Sequence, residues 1–437
     1  MKYCRIFIAF FFMLFPSLSY TADVHEYTLD NGAKVLVVEE HKAPVATFQI
    51  WYRVGSRDEP AGQSGISHLL EHMMFKGTPR YGPSVLSKIV QKNGGTNNAY
   101  TTKDYTAYFE ILASDRITLA TELEADRMRN LLLDQKEFTS EKNVVMEERR
   151  LRYEDDPQNS LFEEVVAMAL KVHPYQRPVI GWMSDLQSIG RDDLASYYQK
   201  YYAPWNTLII VVGDVESDAI VEKIRASFED IPAGQPVKKI PFTEPEQRGE
   251  RRVLLKKEAE LPFLVAAYHV PGFPQEDSYA LEVLNLILSG GKSSRLYQSL
   301  VYEKKVALSA SADYSGFYRD PYLFFFFVAA STSADIGDVE DYLNQEIETM
   351  RKSLPSEKEI QKAKNQIESS FIMGQDSIYL QAMQYGLFEM LGGWRLMDRY
   401  LDGIRKVTGE DVRRVAQKYL REENRTVGIL IPQKRDH

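Results

Sequence analysis

His68 and His72 stand four residues apart with Glu71 between them, in the run His68-Leu69-Leu70-Glu71-His72. On a helix, positions i and i+4 lie one turn apart on the same face, so both imidazoles can reach one cation. Glu71 is three residues from His68 and shares that face. It can take a proton from a cation-bound water without being a ligand itself. The order is the inverse of the helical H-E-x-x-H arrangement. Zinc suits two imidazoles and one carboxylate, with the fourth position left for water. Water held on such an ion has its pKa lowered to about 7, so the chemistry open to these residues is hydrolysis at neutral pH.

A third protein ligand must come from another element. Between Ser140 and Tyr153 the sequence reads as a helix carrying Glu141, Glu147 and Glu148. Glu141 and Glu148 are seven apart and share a face with the nearby Val144 and Val145. A carboxylate there enters a core only if it is paired or metal-bound. Spacing leaves Glu147 and Glu148 equally eligible, and both could instead pair with Arg149, Arg150 or Arg152 on a solvated helix. The remaining histidines, His25, His41, His173, His269 and His437, show no ligand spacing.

The elements that must position these groups can be outlined from periodicity. The motif helix is expected from Ser67 to Phe75, stopped by Gly77 and Pro79, and its Leu69, Leu70, Met73 and Phe75 imply a buried side. Strands are expected at Ala33 to Glu39, after an Asn31-Gly32 turn, and at Ala46 to Val54. A helix follows at Ser84 to Asn93. Alternation over Tyr100 to Leu112 reads as one strand, and Arg116 to Leu131 as a helix. Further on, Phe263 to His269 reads as a strand and Ser278 to Leu288 as a helix. Tyr322 to Ala330, with four consecutive phenylalanines, reads as a strand buried on both faces.

An internal repeat organises these pieces. Ile189-Gly190-Arg191-Asp192-Asp193-Leu194 leads through Tyr201 and Asn206 into the apolar strand Leu208 to Val212. Val407-Thr408-Gly409-Glu410-Asp411-Val412 leads through Tyr419 and Asn424 into Val427 to Ile431. Asp193 and Asp411, Tyr201 and Tyr419, and Asn206 and Asn424 are each 218 residues apart. Holding register over such a stretch indicates duplication. Between the copies, Asp230 to Arg252 carries Pro232, Gly234, Pro236, Pro241 and Pro245 and reads as an extended connection. The expected fold is α+β: two homologous mixed α/β halves, 23–232 and 253–437, joined by a linker at 233–252 and enclosing a cavity.

The 437 residues and 44% hydrophobic content fit two domains with sizeable cores. A formal net charge of −9 argues against nucleic acid as a partner, since phosphate binding needs a basic face. Residues 1–22 read as a signal peptide: Lys2 and Arg5 precede the apolar run Ile6 to Phe15, then Pro16 and the small residues Ser17, Ser19 and Ala22. Cleavage is expected after Ser19 or Ala22, with no membrane span left afterwards. The sole cysteine, Cys4, lies inside that segment, so the mature chain has no thiol or disulfide and a metal site must use histidines and carboxylates.

Beyond the motif, Gly65-Ile66-Ser67-His68-Leu69-Leu70-Glu71-His72-Met73-Met74-Phe75-Lys76-Gly77-Thr78 resembles the signature of the pitrilysin/insulinase family of inverted-motif zinc peptidases. It is most similar to the bacterial branch akin to the mitochondrial processing peptidase. Gly94 to Thr101 with Asp104 to Tyr108, Glu141 to Glu148, His173-Pro174-Tyr175, Pro178 to Gly181 and Gly290 to Tyr297 extend the resemblance over essentially the whole mature chain. The resemblance implies one zinc ion held by His68, His72 and Glu148, Glu71 as general base, and Glu141 as a carboxylate that orients a ligand. It implies substrate binding by strand addition at Asn98 and Ala99, with Phe75 counted among the substrate-binding candidates. Active members of the family also supply an arginine and a tyrosine from the second half. Here Val301 and Leu308 stand at those positions, and neither can donate a hydrogen bond. The expectation is an exported zinc metalloendopeptidase that cleaves peptides or unfolded segments, periplasmic in a Gram-negative source. It would be the zinc-bearing subunit of a heterodimer whose paralogue supplies the missing pair, or else a homodimer. The alternative is a non-catalytic scaffold or binding subunit.

Overall fold

The computed structural model describes residues 23–238 and 240–433; the expected signal peptide lies outside them. Apolar strands form the interiors of two sheets. The first half runs β1 Val24–Thr28, β2 Lys34–Glu39, β3 Val45–Tyr52, α1 Ile66–Met73, α2 Val85–Lys92, β4 Thr96–Thr101, β5 Thr106–Ala113, α3 Thr118–Asn130, α4 Gln135–Arg149, α5 Pro157–Ala169, α6 Met183–Ser188, α7 Arg191–Tyr201, β6 Thr207–Gly213 and α8 Ser217–Phe228. Its sheet has the order β1-β2-β6-β3-β5-β4. The second half runs β7 Arg251–Glu258, β8 Phe263–Val270, α9 Asp277–Ser289, β9 Ala307–Asp313, β10 Tyr322–Ala330, α10 Ile336–Lys352, α11 Glu357–Gly374, α12 Ile378–Met390, α13 Met397–Lys406, α14 Gly409–Tyr419 and β11 Arg425–Gln433. Its sheet has the order β7-β11-β8-β10-β9.

The halves are copies of one plan. In each sheet one parallel pair, β2 with β6 and β7 with β11, is followed by antiparallel neighbours. The repeat is visible in side-chain detail. Asp193 takes the Gly190 N–H and Asp411 takes the Thr408 N–H, each closing the first turn of its helix. Asn206 and Asn424 each donate to the carbonyl of the tyrosine five residues earlier, Tyr201 and Tyr419.

The expected single strand over Tyr100 to Leu112 is a hairpin. Thr102 Oγ1 accepts the N–H groups of Asp104 and Tyr105, and this turn separates β4 from β5. No glycine or proline stands between Tyr100 and Leu112, so composition carried no strong mark of the reversal. The break leaves β4 at the sheet edge.

The central strands of each sheet are buried on both faces, and one of the covering helices comes from the opposite half. Leu161, Val165, Val166 and Ala169 of α5 pack with Val265 and Ala267 of β8 and Phe325 of β10. Ala382 and Tyr385 of α12 pack with Trp51 of β3 and Leu208, Ile210 and Val212 of β6. Glycine permits close approach at both crossings. A Cβ on Gly428 would lie 2.2 Å from Val165, and one on Gly386 would lie 2.3 Å from the Trp51 ring. The segment between α8 and β7 is extended and tied down: Glu244 accepts the backbone N–H groups of Lys171, Val172 and His173. A cleft of about 450 Å³ lies between the halves, lined among others by His173, Phe242 and His269. The histidines and glutamates of the motif do not line it.

Candidate metal centre

α1 begins at Gly65, where φ is 90° and a Cβ would lie 2.4 Å from the Ile180 carbonyl oxygen. Buried Glu59 accepts the N–H groups of Gly65 and Ser67, each at 2.9 Å. This satisfies free donors of the first turn and sets a carboxyl at the positive end of the helix. Burial pushes Glu59 up to about 7, against the pull of those two N–H groups. Ile66, Leu69, Leu70 and Met73 turn into the first core, which leaves His68, Glu71 and His72 on the other side. α4 starts earlier than the sequence suggested, at Gln135, because Asp134 accepts the N–H groups of Lys136 and Glu137. It lies against α1.

Glu148 Oε2 is 3.9 Å from His68 Nε2 and 3.5 Å from His72 Nε2. One donor atom from each of the three lies within 4.8 Å of the others. Two ligands of a tetrahedral zinc ion are separated by roughly 3.4 Å for bonds near 2.1 Å, so the two glutamate–histidine separations need only a small contraction. The donor set fits zinc: two imidazoles, one carboxylate and no thiol. Glu147 points elsewhere and accepts from Arg150 on the exposed side of α4. Glu141 Oε2 lies 3.2 Å from His72 Nδ1 and its other oxygen 2.6 Å from Lys76 Nζ. With a proton on Nδ1, His72 turns the lone pair of Nε2 toward Glu148, the tautomer a ligand needs.

Burial, and then the neighbouring His72, push His68 down to about 4, so the ring is neutral at pH 7. Burial also lowers the His72 pKa, but hydrogen bonds to Glu148 and Glu141 outweigh it and the net shift is upward. The hydrogen bond to His72 holds the Glu148 carboxyl below its ordinary range. Glu71 is displaced upward by burial, opposed by a 2.6 Å hydrogen bond from the Thr101 hydroxyl.

β4 presents alternate residues to the two faces of the sheet. Asn97 bonds Ser87 of α2, Ala99 packs on the first core and Thr101 donates to Glu71, so these three face α1. Tyr100 faces α12, with its hydroxyl donating to Met383 Sδ. By the same alternation Asn98 lies on the face away from Glu71, and its Oδ1 accepts the Ala99 N–H. The Phe75 ring packs on Tyr108 and beneath the Arg127 guanidinium. Val301 is half-buried on the second core, and Leu308 is exposed on β9, the edge of the second sheet. The hydrogen-bond and ionic partners described for His68, Glu71, His72, Glu141 and Glu148 all belong to the first half. The sequence reading missed Thr101, Lys76 and Glu59. Thr101 sat in a stretch already singled out, Lys76 follows His72 by one turn, and nothing local marked Glu59.

Residues 34–182 match the model of the insulinase family, peptidase family M16, and residues 188–367 match that of the peptidase M16 inactive domain. The zinc protease PqqE of Helicobacter pylori is 31% identical over 95% of this chain and 94% of its own length. The chain belongs to peptidase family M16. YmxG of Bacillus subtilis, named an uncharacterized zinc protease, is 27% identical to this M16 chain over 92% of it and 96% of YmxG. Among solved structures, a protease from Helicobacter pylori superposes with a TM-score of 0.90 at 31% identity, covering 94% of this M16 chain and all of that one. The periplasmic protease PqqL from Escherichia coli shares the fold, with a TM-score of 0.77 at 17% identity over 94% of this chain and 48% of PqqL.

Proposed function

We propose that this M16 chain is a zinc-dependent endopeptidase. The observation that carries the reading is the convergence of His68 Nε2, His72 Nε2 and a Glu148 oxygen beside the Glu71 carboxylate. Zinc, when bound, supplies Lewis acidity toward water and the scissile carbonyl. His68 and His72 bind through neutral imidazoles, and Glu141 keeps the His72 ring in its ligand tautomer. Glu71 removes a proton from water and delivers one to the leaving amine, and the Thr101 hydroxyl orients it for both. β4, at the edge of its sheet, adds a substrate strand through backbone hydrogen bonds, with Ala99 on the Glu71 face. That mode fits peptides and unfolded segments and sets little side-chain preference.

The signal-like residues 1–22 support export, to the periplasm in a Gram-negative source. Among the described residues no helix is long and apolar enough to cross a membrane. Val301 and Leu308 at the expected arginine and tyrosine positions support a dimer in which a paralogous partner supplies the pair. The same two residues also favour a second reading, a non-catalytic binding subunit. The experiment that separates them is cleavage of a quenched fluorescent peptide mixture by the mature chain beside Glu71→Gln, with zinc content measured for both. Equal zinc content with activity lost only in Glu71→Gln is the expected result, a loss of about 10²- to 10⁴-fold for removing a general base. Zinc bound by both and cleavage by neither supports the partner-dependent or binding reading. Absence of zinc from both overturns the proposal.

A further inference from the structure

Among the described residues the second half places no candidate ligand at the zinc centre, yet one of its lysines reaches the element that carries Glu148. Beyond Arg149 the chain does not leave the helix but widens into a π-type turn over Arg150–Glu154. The Tyr153 carbonyl at that end accepts the Ser160 hydroxyl. Lys257, on β7 of the second half, donates to the Glu154 carbonyl, to the Tyr153 carbonyl at 3.4 Å and to Ser160 Oγ at 2.6 Å. A cation at the carbonyl end of a helix sits where the backbone dipoles favour it.

A second restraint acts one residue from Glu148. Arg149 is buried and forms a two-pronged pair with Glu163 of α5, at 2.8 and 2.9 Å. It also donates to the Gly181 carbonyl at 2.8 Å. Gly181 lies against the start of α1, since a Cβ there would come within 2.2 Å of the Ser64 carbonyl oxygen. Arg149 therefore ties the ligand end of α4 to the start of the helix bearing both histidines. Glu163 anchors that tie to α5, the helix packed on the second sheet.

We infer that Lys257 and the Arg149–Glu163 pair form a brace through which the second half sets the position of Glu148 at the zinc centre. These are positioning residues: none of them is among the three candidate ligands. The inference rests on the proposed zinc site, but its test does not depend on peptidase activity. Lys257→Met keeps the length of the side chain and removes its charge, and Glu163→Gln keeps its shape. Lys256→Met, exposed on the same strand, serves as the control.

Zinc affinity is read by competition with a chromogenic chelator on the full mature chain. Groups hydrogen-bonded directly to a metal ligand typically contribute 10- to 100-fold to metal affinity, and the brace acts one step further out. Lys257→Met and Glu163→Gln are each expected to weaken zinc binding about tenfold, while Lys256→Met leaves it unchanged. Amide hydrogen exchange on the metal-free chains gives a second readout. Exchange across residues 145–156 is expected to rise in both brace variants and not in the control, with the rest of α4, α1 and the first sheet unaffected. Wild-type zinc affinity in both brace variants overturns the inference. If the wild-type chain binds no zinc, the proposed function fails, and unchanged exchange over 145–156 then overturns the brace as well. A variant that exchanges fast throughout the chain has lost its fold, and the other variant decides.

Discussion

Gly386→Ala sets local helix propensity against tertiary packing and tests whether the two halves share one core. Gly386 lies in the middle of α12, where alanine is favoured over glycine by about 1 kcal/mol. Propensity alone therefore predicts stabilisation. The added Cβ, however, would stand 2.3, 2.5 and 2.6 Å from three atoms of the Trp51 ring. Carbon contacts settle near about 3.6 Å, so helix and ring must separate by roughly 1.3 Å. Trp51 cannot yield easily, because it is fully buried, its Nε1 donates to Gln49 at 3.0 Å, and its ring packs on Tyr105 and Tyr100. α12 must retreat instead, and gaps of that size forfeit a large part of the dispersion energy of the Ala382 and Tyr385 contacts. Overpacking of this kind costs about 1–3 kcal/mol, and here the upper end applies. After the propensity gain, a net destabilisation of about 2 kcal/mol is expected. Urea denaturation followed by far-ultraviolet circular dichroism measures it. In a Trp51→Leu background the clash is gone, and Gly386→Ala is expected to be neutral or stabilising by up to about 1 kcal/mol. A stabilised single variant, or the same loss in both backgrounds, would refute the reasoning.

Two further outcomes follow from the site. Thr101→Val removes the hydroxyl that holds the Glu71 carboxyl down against burial, so the Glu71 pKa rises further. A general base must be ionised to act, so the acid limb of the kcat/KM profile is expected to move to higher pH, with zinc content unchanged; an unmoved limb counts against Glu71 as that base. Glu59 is raised from 4.5 to about 7 in the folded chain, so its contribution to stability is complete below pH 4.5 and lost as pH rises through 7. At about 1.4 kcal/mol per pKa unit this loss amounts to about 3 kcal/mol. Glu59→Gln, which stays neutral, is expected to gain that much on the wild type between pH 4.5 and 7.5 in urea titrations; parallel curves would show that Glu59 does not titrate in this window.

The sequence alone determined the elements whose signal is local. His68, Glu71 and His72 share a helical face because of their spacing, and the buried strand over 322–330 follows from an unbroken apolar run. The duplication shows as three residue pairs each 218 positions apart. Capping and periodicity act within a few residues, so the sequence carries them openly. Spacing alone did not separate Glu148 from Glu147, and the packing of α4 on α1 is what brings Glu148 beside the histidines, because neighbouring residues on one helix differ by a rotation of about 100° that means nothing until a second helix packs against it. The hairpin between β4 and β5 was hidden for a related reason, since its turn is made by a threonine side chain with no glycine or proline to mark it. The exchange of α5 and α12 between the sheets left no local mark either. Both helices are apolar enough to cover some sheet, and the choice of sheet is made by contacts such as Gly386 on Trp51 and Gly428 on Val165, between residues hundreds of positions apart.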